Sequence, residues 1–98
     1  MQFVIIGKDA ADAQALERRM AARAGHIAHI DATMPNMVLG VATLNPEGVM
    51  NGSVLVVDFP SRAELDAWLQ AEPYVAGAVW QDVQIIPCKI GPSFLPKA

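Results

Sequence analysis

The sequence predicts an α+β fold whose elements run strand, helix, strand, strand, helix, strand. Three observations carry this: the order of apolar runs and helix-forming stretches, a capping-box pattern that opens the second helix, and a strand that is apolar on both faces. Residues 2–6 are a short bulky apolar run closed by Gly7, which reads as a buried strand. Residues 11 to about 30 are rich in Ala, Leu, Arg, Met, Gln and Glu and free of proline, and Asp9 or Asp12 stands where a helix cap belongs. At 100° per residue Leu16, Met20, Arg23 and Ile27 form one stripe, expected to face the sheet, with Arg19 and His26 along its margin. Met34-Pro35-Asn36 breaks the pattern. Residues 37–44 are again strand-like and lead into Asn45-Pro46-Glu47-Gly48, a set of turn residues that suits a hairpin. Residues 52–59 form the next strand, and Pro60 ends it. Ser61-Arg62-Ala63-Glu64 is the capping box of a helix that runs to about residue 70 with Leu65, Trp68 and Leu69 on one face. Glu72-Pro73-Tyr74 breaks the chain, residues 75–80 read as short helical or irregular structure, and residues 83–86 are a last strand before Pro87. From about residue 91, Pro92 and Pro96 mark a loose tail. This order is the ferredoxin-like βαββαβ arrangement, in which both helices cover one sheet face. Because Val54, Leu55, Val56 and Val57 are all apolar, the other face is expected to pack on a second copy, giving a symmetric homodimer.

Ninety-eight residues with a net charge of -3 and 53% hydrophobic residues suit a single domain, 1–98. The charged fraction of 17% lies below the roughly 25% usual for globular chains, which excludes a disordered chain and adds to the expectation of an oligomer. Seven Lys+Arg against ten Asp+Glu, with no basic run, speak against nucleic acid as a partner. No apolar stretch approaches the roughly 18 residues of a spanning helix and the first residues lack a signal-peptide pattern, so no membrane partner is expected and the cytoplasm is the expected address. The single cysteine, Cys88, allows no internal disulfide.

His26 and His29 are the residues to test for chemistry. Two histidines one turn apart need a third ligand, and no HExxH, CxxC or acidic cluster supplies it, so no metal and no cofactor are expected. His26 lies beside the apolar stripe, where it reads either as a pocket-rim residue or as a half-buried packing histidine. Tyr74, Trp68 and Trp80 are candidates for an aromatic wall, with Trp68 fitting the core through its spacing from Leu65 and Leu69.

Taken together and in order, Phe3-Val4-Ile5-Ile6 with Asp9, Leu16-Glu17-Arg18-Arg19, Arg23-Ala24-Gly25-His26-Ile27, Asn51-Gly52-Ser53 and Glu72-Pro73-Tyr74 resemble the YciI-like (YCII) family over residues 1–89. The resemblance implies a dimeric α+β barrel of ferredoxin-like subunits with a histidine–aspartate dyad in a cleft between sheet and helices. Carried onto this sequence, the catalytic pair is His26 with Asp9. Ser53, Tyr74, Pro73, Glu72 and Arg19 are the expected substrate-binding residues. The family's Asp-Pro-Tyr motif stands here as Glu72-Pro73-Tyr74, one methylene longer, which leaves Asp9 and Glu72 as rival carboxylate partners of His26. The chain also departs at Val41-Ala42-Thr43, where relatives carry Gly-Pro. A carboxylate on one imidazole nitrogen sets the tautomer and lets the other nitrogen accept a proton near neutral pH. No GxSxG motif offers a serine nucleophile. One branch of the family removes chloride from a chlorinated hydroxyhydroquinone, so the resemblance implies dehydrochlorination of a small aromatic or cyclic substrate. The rival readings are a non-catalytic dimeric binding protein and an isomerase or lactone-handling enzyme.

Overall fold

Alternation along the first strand decides which way the chain faces. In the computed structural model, which describes residues 1–95, β1 (Gln2–Asp9) buries Phe3, Ile5, Gly7 and Asp9 on one side. β2 (Met37–Leu44) and β3 (Met50–Asp58) follow as a hairpin, and β4 (Trp80–Cys88) closes an antiparallel sheet of order β2-β3-β1-β4. This is the ferredoxin-like order expected. Gly48 turns the hairpin at φ +82°, and the Asn45 side chain accepts hydrogen bonds from the backbone N–H groups of Glu47 and Val49.

Helix α1 (Ala15–Ala32), helix α2 (Arg62–Ala71) and the single turn α3 (Pro73–Ala76) connect the strands. In α2 the Ser61 hydroxyl accepts from the Glu64 N–H, as the capping box requires, and Leu65, Trp68 and Leu69 enter the core with Phe3, Ile5, Leu55 and Val57.

Helix α1 departs from expectation in two ways. Neither Asp9 nor Asp12 caps it: Asp9 completes β1, and Asp12 forms a turn ahead of the helix by accepting from the Gln14 N–H and pairing with Arg18. Nor is the stripe of Leu16, Met20 and Ile27 buried against the sheet: these side chains are 42%, 49% and 41% exposed, and Ile27 borders the open cleft between α1 and the sheet. Arg19, Ala22, His26 and Ile30 turn inward instead. The physical reason is that Arg19 and His26 each meet a buried carboxylate, so the polar margin of the stripe is the face that can be buried.

β1 and β4 are both longer than expected. β1 runs past Gly7 because the Trp80 ring lies directly over that residue, so close that a Cβ there would sit 2.4 Å from ring atoms. β4 starts at Trp80 and continues through Pro87, which an edge strand tolerates because one side needs no ladder partner. On the tail, Pro92–Phe94 form a 3-10 turn, while Pro96 and the residues after it lie outside the described residues. On the sheet face away from the helices, Val4, Ile6, Val54 and Val56 are half-buried, and Leu39, Val41 and Ile86 are exposed. Among the described residues no helix is long and apolar enough to cross a membrane.

Candidate functional site

The site begins with a small-residue seat on α1. Ala22 and Gly25 leave room for the turn that carries Glu72, Pro73 and Tyr74; a Cβ on Gly25 would stand 3.3 Å from the Pro73 ring. With that turn seated, Glu72 is fully buried and its Oε1 lies 2.5 Å from His26 Nδ1. The same oxygen accepts from the Tyr74 N–H at 3.1 Å, so Glu72 caps the turn and holds the histidine at once. Tyr74 stacks face to face on the imidazole, with ring centroids 3.9 Å apart and planes within 10°. Among the described residues, His26 Nε2 has no hydrogen-bond partner.

Asp9 is placed elsewhere. Its carboxylate takes two hydrogen bonds from Arg19 Nη1, at 2.9 and 3.1 Å, and both side chains are almost completely buried. Arg19 Nη2 donates to Ser53 Oγ at 2.8 Å, and the guanidinium lies over the Tyr74 ring, 4.7 Å from its centroid. The contact expected between Asp9 and His26 is therefore not the one formed. Arg19 and His26 lie two helical turns apart on α1, roughly 10 Å along the axis, and the end of β1 reaches only the first of them. Sequence reasoning left Glu72 open because of its extra methylene; the signals for it were the small residue beside His26 and the capping position ahead of Pro73.

These groups border a cavity of about 260 Å³ between α1 and the β2–β3 side of the sheet. Arg19, Arg23, His26, Ser53 and Tyr74 supply its polar edge, and Ile27, Ile30, Met50 and Leu55 are among its apolar walls. A cavity of roughly 150 Å³ holds a benzene molecule, so the space admits one substituted ring. Pro73 packs on Gly25, and Trp68 belongs to the core. His29 stacks on Trp68 and bonds its backbone carbonyl, which joins α1 to α2 away from the cavity. Among the described residues no three His, Cys, Asp or Glu side chains come together as a metal would need.

The YCII-related domain model matches residues 1–89. Protein YciI of Escherichia coli is 32% identical over 97 residues, covering 91% of this chain and 97% of that protein. An uncharacterised protein of Haemophilus influenzae is 29% identical over the same coverage. Among solved structures, the 5-chloro-2-hydroxyhydroquinone dehydrochlorinase of Burkholderia phenoliruptrix AC1100, in complex with 2,5-dihydroxybenzoquinone, superposes with a TM-score of 0.83 at 22% identity, covering 95% of this chain and 98% of that one. A dimeric ferredoxin-like protein of unknown function from Jannaschia sp. CCS1 gives 0.52 at 16% identity, with 91% and 98% covered. Both likenesses show the shared ferredoxin-like fold.

Tyr74 is the sole tyrosine and reports on the site directly. Burial pushes its phenol above the ordinary value of 10.0, against the downward pull of Arg19 and Arg23. The folded chain thus holds this proton more tightly than the unfolded chain. The stability it contributes is fully present below about pH 10 and is lost as pH rises through the folded value. Phenolate absorbance should titrate with a midpoint above 10.0, and Arg23→Gln should raise it further. A midpoint at or below 10.0 would contradict the burial described.

Proposed function

The chain belongs to the YCII-related family, and from that premise we propose that it is a general acid/base enzyme in which His26, held by Glu72, moves protons on a small ring substrate. One observation carries the reading: Glu72 occupies Nδ1 with a buried carboxylate while Nε2 is left unpartnered among the described residues, on a residue that borders a ring-sized cavity. A carboxylate on Nδ1–H leaves Nε2 as the acceptor and stabilises the imidazolium that forms. His26 is thus the catalytic base and Glu72 its positioning partner. Asp9, the partner expected from the family pattern, acts through Arg19 instead.

The reaction that fits best is dehydrochlorination of a chlorinated hydroxyhydroquinone. The support is the resemblance of the fold to a dehydrochlorinase solved with a dihydroxybenzoquinone, together with the cavity's size and polarity. His26 takes a proton from a ring hydroxyl and returns it to the chlorine-bearing carbon, which gives a keto tautomer. Loss of a second hydroxyl proton then sends electron density through the ring, and chloride leaves with its bonding pair. The net change is loss of HCl to give a hydroxybenzoquinone, so the balance requires no external oxidant.

The same reading makes the protein a homodimer whose second copy covers the open sheet face. That face carries Val4, Leu39, Val56 and Ile86, and the cleft between Ile90 and Phe94 adjoins it. A patch of this kind is costly to leave in water. Sedimentation should give the mass of two chains, and Val56→Asp should shift it to one; a single-chain mass for the unmodified protein would refute the dimer.

Chloride release from a chlorinated hydroxyhydroquinone tests the chemistry. His26→Ala should lower kcat by about 10²–10⁴-fold. Glu72→Gln should lower it at least about tenfold, the rate equivalent of ~1.4 kcal/mol of imidazolium stabilisation, with a smaller change in KM. Release no faster than the uncatalysed reaction, or a loss below about threefold in His26→Ala, would reject the assignment.

A further inference from the structure

We propose that Ser53 is a directed hydrogen-bond donor that reads an electron-rich oxygen on the ligand, and that Asp9 and Arg19 exist to aim it. This rests on the cavity beside His26 being the ligand site.

A hydroxyl has one proton to give and two lone pairs that accept. Both lone pairs of Ser53 Oγ are engaged, by Arg19 Nη2 at 2.8 Å and by Trp80 Nε1 at 3.4 Å. Among the described residues nothing accepts the Ser53 proton. Ser53 is 3% exposed yet borders the cavity, so the direction left for its O–H is toward a ligand. An ordinary surface serine rotates to suit its neighbours. Here two donors fix the oxygen, and the hydroxyl sits on β3 between Gly7 of β1 and Ala42 of β2 in the ladder, where the backbone is held from both sides.

The donor is also strengthened. Accepting from a guanidinium polarises the hydroxyl and makes its proton a better one to share, and a buried setting enlarges the effect. The guanidinium is oriented by Asp9, both of whose carboxylate oxygens accept from Nη1. Asp9, Arg19 and Ser53 thus form a relay that ends at the cavity, with Asp9 and Arg19 as positioning residues. His26, whose Nε2 is the proton acceptor of the proposed function, borders the same space. The ligand class that satisfies both is a single ring with an acidic proton for His26 and a second oxygen bearing negative charge, a phenolate, enolate or quinone oxygen, for Ser53.

Binding of 4-nitrophenolate, compared with nitrobenzene, which lacks the oxygen, tests this without any turnover. Bound to the unmodified protein, 4-nitrophenolate should absorb at shorter wavelength than when bound to Ser53→Ala, because the hydrogen bond stabilises the phenolate. Ser53→Ala should weaken its binding by roughly tenfold to a hundredfold, the range for a hydrogen bond to a charged group, while nitrobenzene affinity changes less than about twofold and shows that the cavity is intact. Equal affinity of the unmodified protein for the two probes, the same band for the probe bound to the unmodified protein and to Ser53→Ala, or undiminished 4-nitrophenolate binding by Ser53→Ala would overturn the proposal. Absent chloride release together with a persistent Ser53 effect would reject the reaction and keep the donor. The converse would reject the donor alone.

Discussion

Glu72 has no exposed surface, and a carboxylate taken out of water costs several kcal/mol unless charge and hydrogen bonds replace its hydration. Oε1 receives both His26 Nδ1 and the Tyr74 N–H, while Oε2 is buried with no partner among the described residues. The charge therefore leans on His26. That dependence works in both directions, because the histidine is clamped between the carboxylate and the Tyr74 ring. Breaking a buried pair by removing one partner typically costs 3–5 kcal/mol, so this contact holds the turn Pro73–Ala76 to α1 as well as orienting the imidazole.

A buried ion pair, Asp9 with Arg19, stands two turns away and does different work. Both pairs face Tyr74, one through the stacked imidazole and one through the guanidinium over the ring. The phenol ring is thus a common floor. Two carboxylates in one cleft would repel if they shared a partner; each instead has its own cation or imidazole. This separation is what permits the His26 imidazole and the Ser53 hydroxyl to border the same small cavity.

Much of this was legible in the residues. Strand and helix order followed from apolar runs and from Ser61 to Glu64, because those signals are local. His26, Arg19, Ser53 and Tyr74 were named from the pattern and do border one cavity. What could not be read was pairing. Helical periodicity placed Leu16, Met20 and Ile27 against the sheet, since it weighs hydrophobicity and is blind to a buried carboxylate waiting for Arg19 or His26. The choice between Asp9 and Glu72 depended on how closely the Pro73 turn approaches α1, and that distance is set by the absent side chain of Gly25, a tertiary fact with only a faint local trace.

The tautomer of His26 tests the account most directly. Two-bond nitrogen–proton correlations on the neutral imidazole should show the proton on Nδ1 and none on Nε2. Asp9→Asn should keep that pattern, and Glu72→Ala should redistribute the proton toward Nε2. A proton found on Nε2 in the unmodified protein, or a pattern that changes with Asp9 and not with Glu72, would contradict the assignment of Glu72 as the residue that makes His26 a base.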